Sequence, residues 1–317
     1  MKLLRIIGIL IGLTIVGYLV HQVGWGVIRH TLGLLEWGYV IVLCYPLSWM
    51  VFNTTGWFWA LHVQYASRLS LLRLLPIRLA GETFNSLLPS GYVGGEPLKA
   101  KLLGGIIPLR EATSSVLIAK SAQSIGLVVF VGLGLTLGQN QSSSSIPQRG
   151  TWTALAILAG GIAIFSVLLA RRSFSRLGRG LYRITRLGWI QRREKYLVSL
   201  DESLGNFYRE GKGRFFMSIV FHLMGWLAGA LEVAVIFWLI DHPIGWRQAW
   251  FIGAMAQLAS VIGLLVPAGV GLYEGGHYMA ASLLGINPAL GLSVSLVRRV
   301  REIFWDVLGL LFFWKLS

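Results

Sequence analysis

A single cysteine, Cys44, is all the thiol chemistry in the chain, which excludes an internal disulfide and a cysteine-built zinc site. Charge is scarce too. Only 13% of residues are Asp, Glu, Lys or Arg, about half the share on a soluble domain, so much of the surface must face something other than water. Acids are scarcest, 13 against 28 Lys and Arg, for a net charge of +15. No nucleic-acid partner follows from that excess, because the bases cluster between apolar runs, as in loops at an anionic membrane surface. The six histidines show no paired metal spacing, and no Ser-His-Asp or two-carboxylate constellation stands out. No metal, no cofactor and no enzymatic activity are expected.

Apolar residues make up 55% of the chain. A spanning helix needs about 20 of them in succession. The runs 3–20, 37–62, 112–137, 152–170, 215–240 and 288–314 meet or approach that length. The first lacks a small-residue cleavage site after Tyr18-Leu-Val-His-Gln and reads as a retained helix, not a signal peptide. Two further stretches, 70–104 and 245–285, are apolar but broken, at Pro89-Ser-Gly91-Tyr-Val-Gly94-Gly95 and at Pro267-Ala-Gly269-Val-Gly271. The pieces beyond each break are too short for a ~30 Å hydrocarbon core. Each stretch therefore reads as a re-entrant helical hairpin. The fold class expected is an all-α, polytopic integral membrane protein with six spanning helices and two such hairpins.

Orientation follows from the bases. With the N-terminus inside, 21 of the 28 fall in cytoplasmic segments, three (Arg29, Arg149, Arg247) fall outside and four lie within spans. Both termini are expected in the cytoplasm, together with the linker 171–214. That linker carries twelve bases and four acids. It reads either as an amphipathic surface helix on anionic lipid or as a solvated basic loop.

The hairpins share a pattern. Each runs Pro-x-Gly to a Glu seven residues after the Pro, Glu96 in one and Glu274 in the other. Leu102-Leu103-Gly104 parallels Leu283-Leu284-Gly285, Pro108 parallels Pro288, and Ser115 parallels Ser295, at offsets of 178 to 181. The organisation expected is an N-terminal helix and outer loop (1–36), repeat 1 (37–137), an outer loop, spanning helix and basic linker (138–214), and repeat 2 (215–317). Counting crossings inverts the second repeat relative to the first, so one hairpin opens to the cytoplasm and the other to the exterior. Inverted repeats with broken helices point to a transporter with its site at the midplane.

Ionisable residues inside spans are expensive and face protein or water. The last run carries Arg298, Arg299, Arg301, Glu302 and Asp306, with Arg298, Glu302 and Asp306 on one helical face. Two readings stand: an anion site in which Arg298 and Arg301 hold a phosphate, or an internal ion-pair network. Lys120 takes the arginines' place in the first repeat. Glu232 and Asp306 are candidates for ion pairing or for a proton. Glu96 and Glu274 are positioned to cap the half-helices after the breaks, or else to join Arg298, Arg299, Arg301, Glu302 and Lys120 in the candidate substrate-binding set. The Gly91-to-Gly95 cluster lacks the Lys-Ser/Thr of a phosphate-binding loop and is a weak signal.

At these residues the chain resembles the flippase-like family named after the transmembrane region of lysylphosphatidylglycerol synthase. The resemblance rests on Asn85-Ser-Leu-Leu-Pro-Ser-Gly with Gly95-Glu96, on Val266-Pro-Ala-Gly-Val-Gly-Leu-Tyr-Glu-Gly-Gly276, and on Ser295-Leu-Val-Arg-Arg-Val-Arg-Glu302. The last two look most like the branch associated with hopanoid biosynthesis. The resemblance covers nearly the whole chain and implies movement of a phospholipid or other amphiphile between leaflets of a bacterial inner membrane. Asn85 joins the candidate substrate-binding set on this ground, and no soluble aminoacyl-transferase domain is expected. Gly91-Tyr-Val-Gly-Gly-Glu96 departs from the commoner Gly-Arg-x-Gly-Glu, so a headgroup role for that arginine does not carry over. Membrane lipids are the partners expected, with a homo-oligomer or lipid-biosynthesis enzymes as further ones. A membrane scaffold for lipid-modifying enzymes, and an intramembrane lipid-modifying enzyme, remain as alternatives.

Overall fold

In the computed structural model, which describes residues 17, 18, 21, 25–88, 94–139, 148–171, 173–186, 188, 192–262 and 270–316, the described residues form helices and connections and no strand. Almost all of run 3–20 and the break residues Pro89, Gly91, Pro267 and Gly269 lie outside the described residues. The first long element, α1 (Trp25–Gly33), is helical where an outer loop was expected.

Run 37–62 folds as α2 (Gly38–Cys44) and α3 (Pro46–Trp59). Pro46 removes one ladder donor, yet Tyr45 keeps helical dihedrals (φ −55°, ψ −39°), so the chain stays helical through the break. A single turn, α4 (Val63–Ala66), leads to α5 (Leu71–Leu87) and α6 (Glu96–Gly104), the two arms of the first hairpin. Next come the long helices α7 (Leu109–Gln139) and α8 (Gln148–Ala170). The linker holds α9 (Phe174–Thr185) and α10 (Glu194–Glu210). The second half follows as α11 (Lys212–Leu239), the hairpin arms α12 (Trp246–Ile262) and α13 (Leu272–Leu283), and α14 (Pro288–Leu316). The nine residues of α6 and twelve of α13 reach only ~14 and ~18 Å at 1.5 Å per residue, short of a bilayer.

Three helices among the described residues are long and apolar enough to cross a membrane: Leu109–Gly138, Gly150–Ala170 and Lys212–Leu239. Of the other runs, α14 has the length but carries the charges at 298–306, and 37–62 is divided at Pro46. The linker is more structured than a basic loop. Leu200, Leu204 and Phe207, at helical spacing on α10, are buried, and α10 packs on α7 and α8. On α9, Leu177, Leu181 and Ile184 form an exposed apolar stripe with Arg176, Arg179 and Arg183 around the opposite side. The Asp201 carboxylate fixes α9 in place by accepting the Phe174 and Ser175 N–H groups at 3.0 and 2.8 Å.

The core divides in two. One cluster gathers Val42, Phe130, Ile236, Phe251 and Val297, and the other Trp57, Leu74, Val116, Leu204 and Phe207. On α7 the second cluster takes Ala112 to Ala119 and the first takes Phe130 to Leu135, leaving the middle of the helix to neither. A pocket fills that gap.

Helices meet through small residues, as membrane bundles do. The crossing of α3 and α11 is antiparallel. Arg214 at the start of α11 donates to the Phe58 and Leu61 carbonyls at the end of α3, each at 2.9 Å, while Gly38 before α3 faces Leu239. At its centre the His222 ring and the Asn53 side-chain oxygen are hydrogen-bonded at 2.7 Å. Gly56 leaves room for His222, and Gly225 leaves room for Asn53. Elsewhere α5 packs on α14 and α12 on α7.

Candidate functional site

A cavity of about 380 Å³ occupies the gap between the two cores. Its walls come from both halves of the chain: Glu82, Asn85 and Lys120 from the first, and Glu232, Arg298, Arg301, Glu302 and Asp306 from the second. Trp49, Trp226 and Trp305 add broad apolar faces. A charged ring with aromatic walls suits a molecule that is polar at one end and greasy along the rest.

On the first-half wall, α5 and α6 bring two acids to three bases. Arg78 meets Glu82 at 2.9 Å, one turn along α5. Lys99 reaches both Glu82 (2.8 Å) and Glu96 (3.2 Å), and Lys120 from α7 reaches Glu96 at 3.3 Å. Asn85 organises the corner. Its amide donates to Glu82 at 3.1 Å and to Glu96 at 3.2 Å, and its oxygen accepts the Gly95 N–H at 2.7 Å. Gly95 is required there, since a Cβ would run into the Gly81 carbonyl.

On the second-half wall, Glu232 of α11 is shared between Arg298 (3.0 Å) and Arg301 (2.9 Å). Arg299 bridges Glu274 at 2.6 Å and Glu302 at 2.8 Å, and Arg301 also nears Glu302 at 3.5 Å. The other oxygen of Glu274 accepts the Gly271 N–H at 2.6 Å, closing the N-terminus of α13. Gly271 sits at φ 84°, a left-handed conformation that glycine adopts without strain. Arg298 and Arg299 also lie over the Tyr273 ring, at 5.5 and 5.8 Å.

The structure thus brings together all the ionisable residues singled out in the sequence. Arg298, Arg301, Glu302, Lys120, Asn85, Glu232 and Asp306 line the cavity. Arg299, Glu96 and Glu274 stand behind it and hold the liners in place. The sequence left two readings open for Arg298 and Arg301, and in this structure Glu232 occupies the fork that a phosphate would take. One detail differs from the sequence reading. Of the two glutamates expected to cap half-helices, only Glu274 does so, while Asn85 serves Gly95 in place of Glu96. Gly94 precedes α6 in a turn.

Sequence reasoning passed over Arg78, Glu82 and Lys99. Their signal was available: an i,i+4 Arg–Glu pair in an apolar stretch, and a Lys three residues after Glu96. Gln123, Tyr45 and the three tryptophans gave no such sign, since aromatic and amide residues occur throughout helices of this kind.

A family model described as the lysylphosphatidylglycerol synthase TM region matches residues 5–308. A "UPF0104 membrane protein" of Methanothermobacter thermautotrophicus is 23% identical over 291 residues, covering 85% of this chain and 79% of that protein. No solved structure matches the chain.

Proposed function

The chain belongs to the family of the lysylphosphatidylglycerol synthase transmembrane region, and from that premise we propose that it is a lipid flippase rather than an enzyme, carrying an amphiphile with an anionic or polar headgroup between leaflets. The observation that carries this reading is the cavity, charged at its ring, aromatic on its walls, and set halfway along the long helices between two apolar cores. The headgroup would occupy the ring while the chains stay in lipid.

Alternating access needs two halves that can exchange conformations, and an inverted repeat supplies them. In this reading the elements α3, α5–α6 and α7 correspond to α11, α12–α13 and α14. Four features support the correspondence. Asn53 and Gly56 on α3 contact Gly225 and His222 on α11, so an antiparallel two-fold exchanges the contacts. Glu96 with Lys120 has its counterpart in Glu274 with Arg299. The packing of α5 on α14 is matched by that of α12 on α7. Ser115 and Ser295 each donate to the carbonyl three residues earlier. Six spans, a bacterial inner membrane, cytoplasmic termini and the hopanoid-associated branch belong to the same proposal.

The complete pairing of Arg298, Arg299 and Arg301 also fits a second reading, a static scaffold whose arginines only lock helices together. Reconstituted vesicles separate the two. A flippase exposes labelled short-chain phosphatidylglycerol of the inner leaflet to an external quencher faster than protein-free vesicles do, and Trp226→Ala, at the cavity wall, slows it. A rate equal to that of empty vesicles across phosphatidylglycerol, phosphatidylethanolamine and an isoprenoid phosphate would overturn the flippase reading.

A further inference from the structure

Asp306 is the acid at the cavity whose charge has no close match. It lines the cavity beside Thr83 and Ser86, and the Thr83 hydroxyl donates to the Asp306 backbone carbonyl at 3.5 Å. Among the described residues, no Lys, Arg or His nitrogen lies within 4.0 Å of its carboxylate. The titratable and charged groups around it are Arg298, Arg299, Arg301 and Glu302 on its own helix, Glu82 on α5, Lys120 on α7, Tyr45 between α2 and α3, Glu232 on α11 and Tyr273 on α13. The cations in that set are already bridged to other acids: Arg299 to Glu274 and Glu302, Arg298 and Arg301 to Glu232, and Lys120 to Glu96.

The charge count of the two walls follows. Five other acids are each bonded to at least one of six bases. With Asp306 ionised, six acids meet six bases and the empty site is neutral. A monoanionic headgroup adds one negative charge that no residue there offsets. Closing the cavity around that surplus removes the water that screens it, at a depth where unbalanced charge is most costly.

Resting on the transport reading above, we propose that Asp306 is the coupling site, taking up one proton when a monoanionic phosphate-diester headgroup enters, so that proton and lipid cross together without net charge. The proton passes from water in the open mouth to a carboxylate oxygen of Asp306, and returns to water at the opposite mouth as the headgroup leaves. No other bond forms or breaks, and the driving force is the pH gradient across the membrane. Hydroxyl neighbours suit both states, because a hydroxyl can donate to a carboxylate and accept from a carboxylic acid.

The test uses the full chain in sealed vesicles with labelled short-chain phosphatidylglycerol as the probe. A gradient of one pH unit should shift the leaflet distribution of the probe about tenfold in the wild type, the equilibrium for one proton per lipid. An imposed potassium diffusion potential should leave it unchanged. Asp306→Asn should show no gradient-driven shift, whatever its rate. A shift driven by voltage, or an Asp306→Asn distribution that still follows the pH gradient, overturns the proposal. Infrared difference spectra on acidification supply a readout that needs no transport. The wild type and Glu302→Gln should gain a protonated-carboxyl stretch that Asp306→Asn lacks, and persistence of that band in Asp306→Asn also overturns the proposal. Vesicles in which the wild type moves no probe count against the transport reading, and the band then decides the proton site alone.

Discussion

Replacing Glu232 with Gln keeps the shape of the side chain and removes the charge shared by two arginines. The two are not equally exposed to the loss. Arg301 retains Glu302 at 3.5 Å. Arg298, only 7% exposed, has Glu232 as its sole carboxylate within 4.0 Å among the described residues, with the Tyr273 ring at 5.5 Å as its other support. Stranding one partner of a buried pair costs about 3–5 kcal/mol, and insertion scales put an Arg at mid-membrane near 2.5–3.5 kcal/mol. The residual ring contact favours the lower end, so Glu232→Gln should destabilise the protein by ~3 kcal/mol. Equilibrium unfolding in mixed micelles, followed through the 13 tryptophans, reads this directly. Arg298→Gln should cost less, because Glu232 keeps Arg301 at 2.9 Å. The double variant should fall short of the sum by about 0.5–3 kcal/mol, as contacting residues do. A Glu232→Gln protein within ~0.5 kcal/mol of wild type, or strictly additive losses, would refute the pairing as the element that holds this wall.

Gly225→Ala and Gly56→Ala should each destabilise by ~1–3 kcal/mol in the same measurement, because the new methyl meets the Asn53 amide in one case and the His222 ring in the other. Gly161→Ala, which meets open space on α8, should instead stabilise by ~0.5–1 kcal/mol. Asp201→Ala should cost ~0.5–2 kcal/mol, with hydrogen exchange rising at the Phe174 and Ser175 amides where the acceptor is lost. Sidedness is testable in a Cys44→Ala background. With a cytoplasmic linker, a cysteine replacing exposed Glu202 should resist an impermeant thiol reagent in intact cells, and one replacing Ser143 should react. Ser203 is unsuitable for that purpose, since it is buried and bonded to Glu111.

The helical class and the hairpin arms were legible because they rest on run length and on Gly and Pro, which act locally. The ionic residues were legible as a set because charge within an apolar run is conspicuous. Glu232 was legible as an ion-pair candidate, but not which arginines it would meet. Spacing along one helix set Arg298 beside Glu302, but the fold turns Arg298 toward Glu232 on another helix and leaves Glu302 to Arg299 and Arg301. Partners on separate elements depend on how helices cross, and the Gly56 and Gly225 notches that set one crossing look like any other glycines in a chain with 39. The burial of α10 was hidden by its charges, which mask the Leu200, Leu204 and Phe207 period.

The exchange of partners between halves has a consequence for biosynthesis. α5 leaves the ribosome early, yet the helix it packs against, α14, is synthesised more than 200 residues later. Until then the face of α5 bearing Thr83, against which Gly309 will seat, has no partner. The first half is therefore an incomplete assembly through most of translation, with that face of α5 exposed until α14 arrives. A chain stalled before α14 should be recognised as unfinished and degraded, even with every earlier helix already in the bilayer.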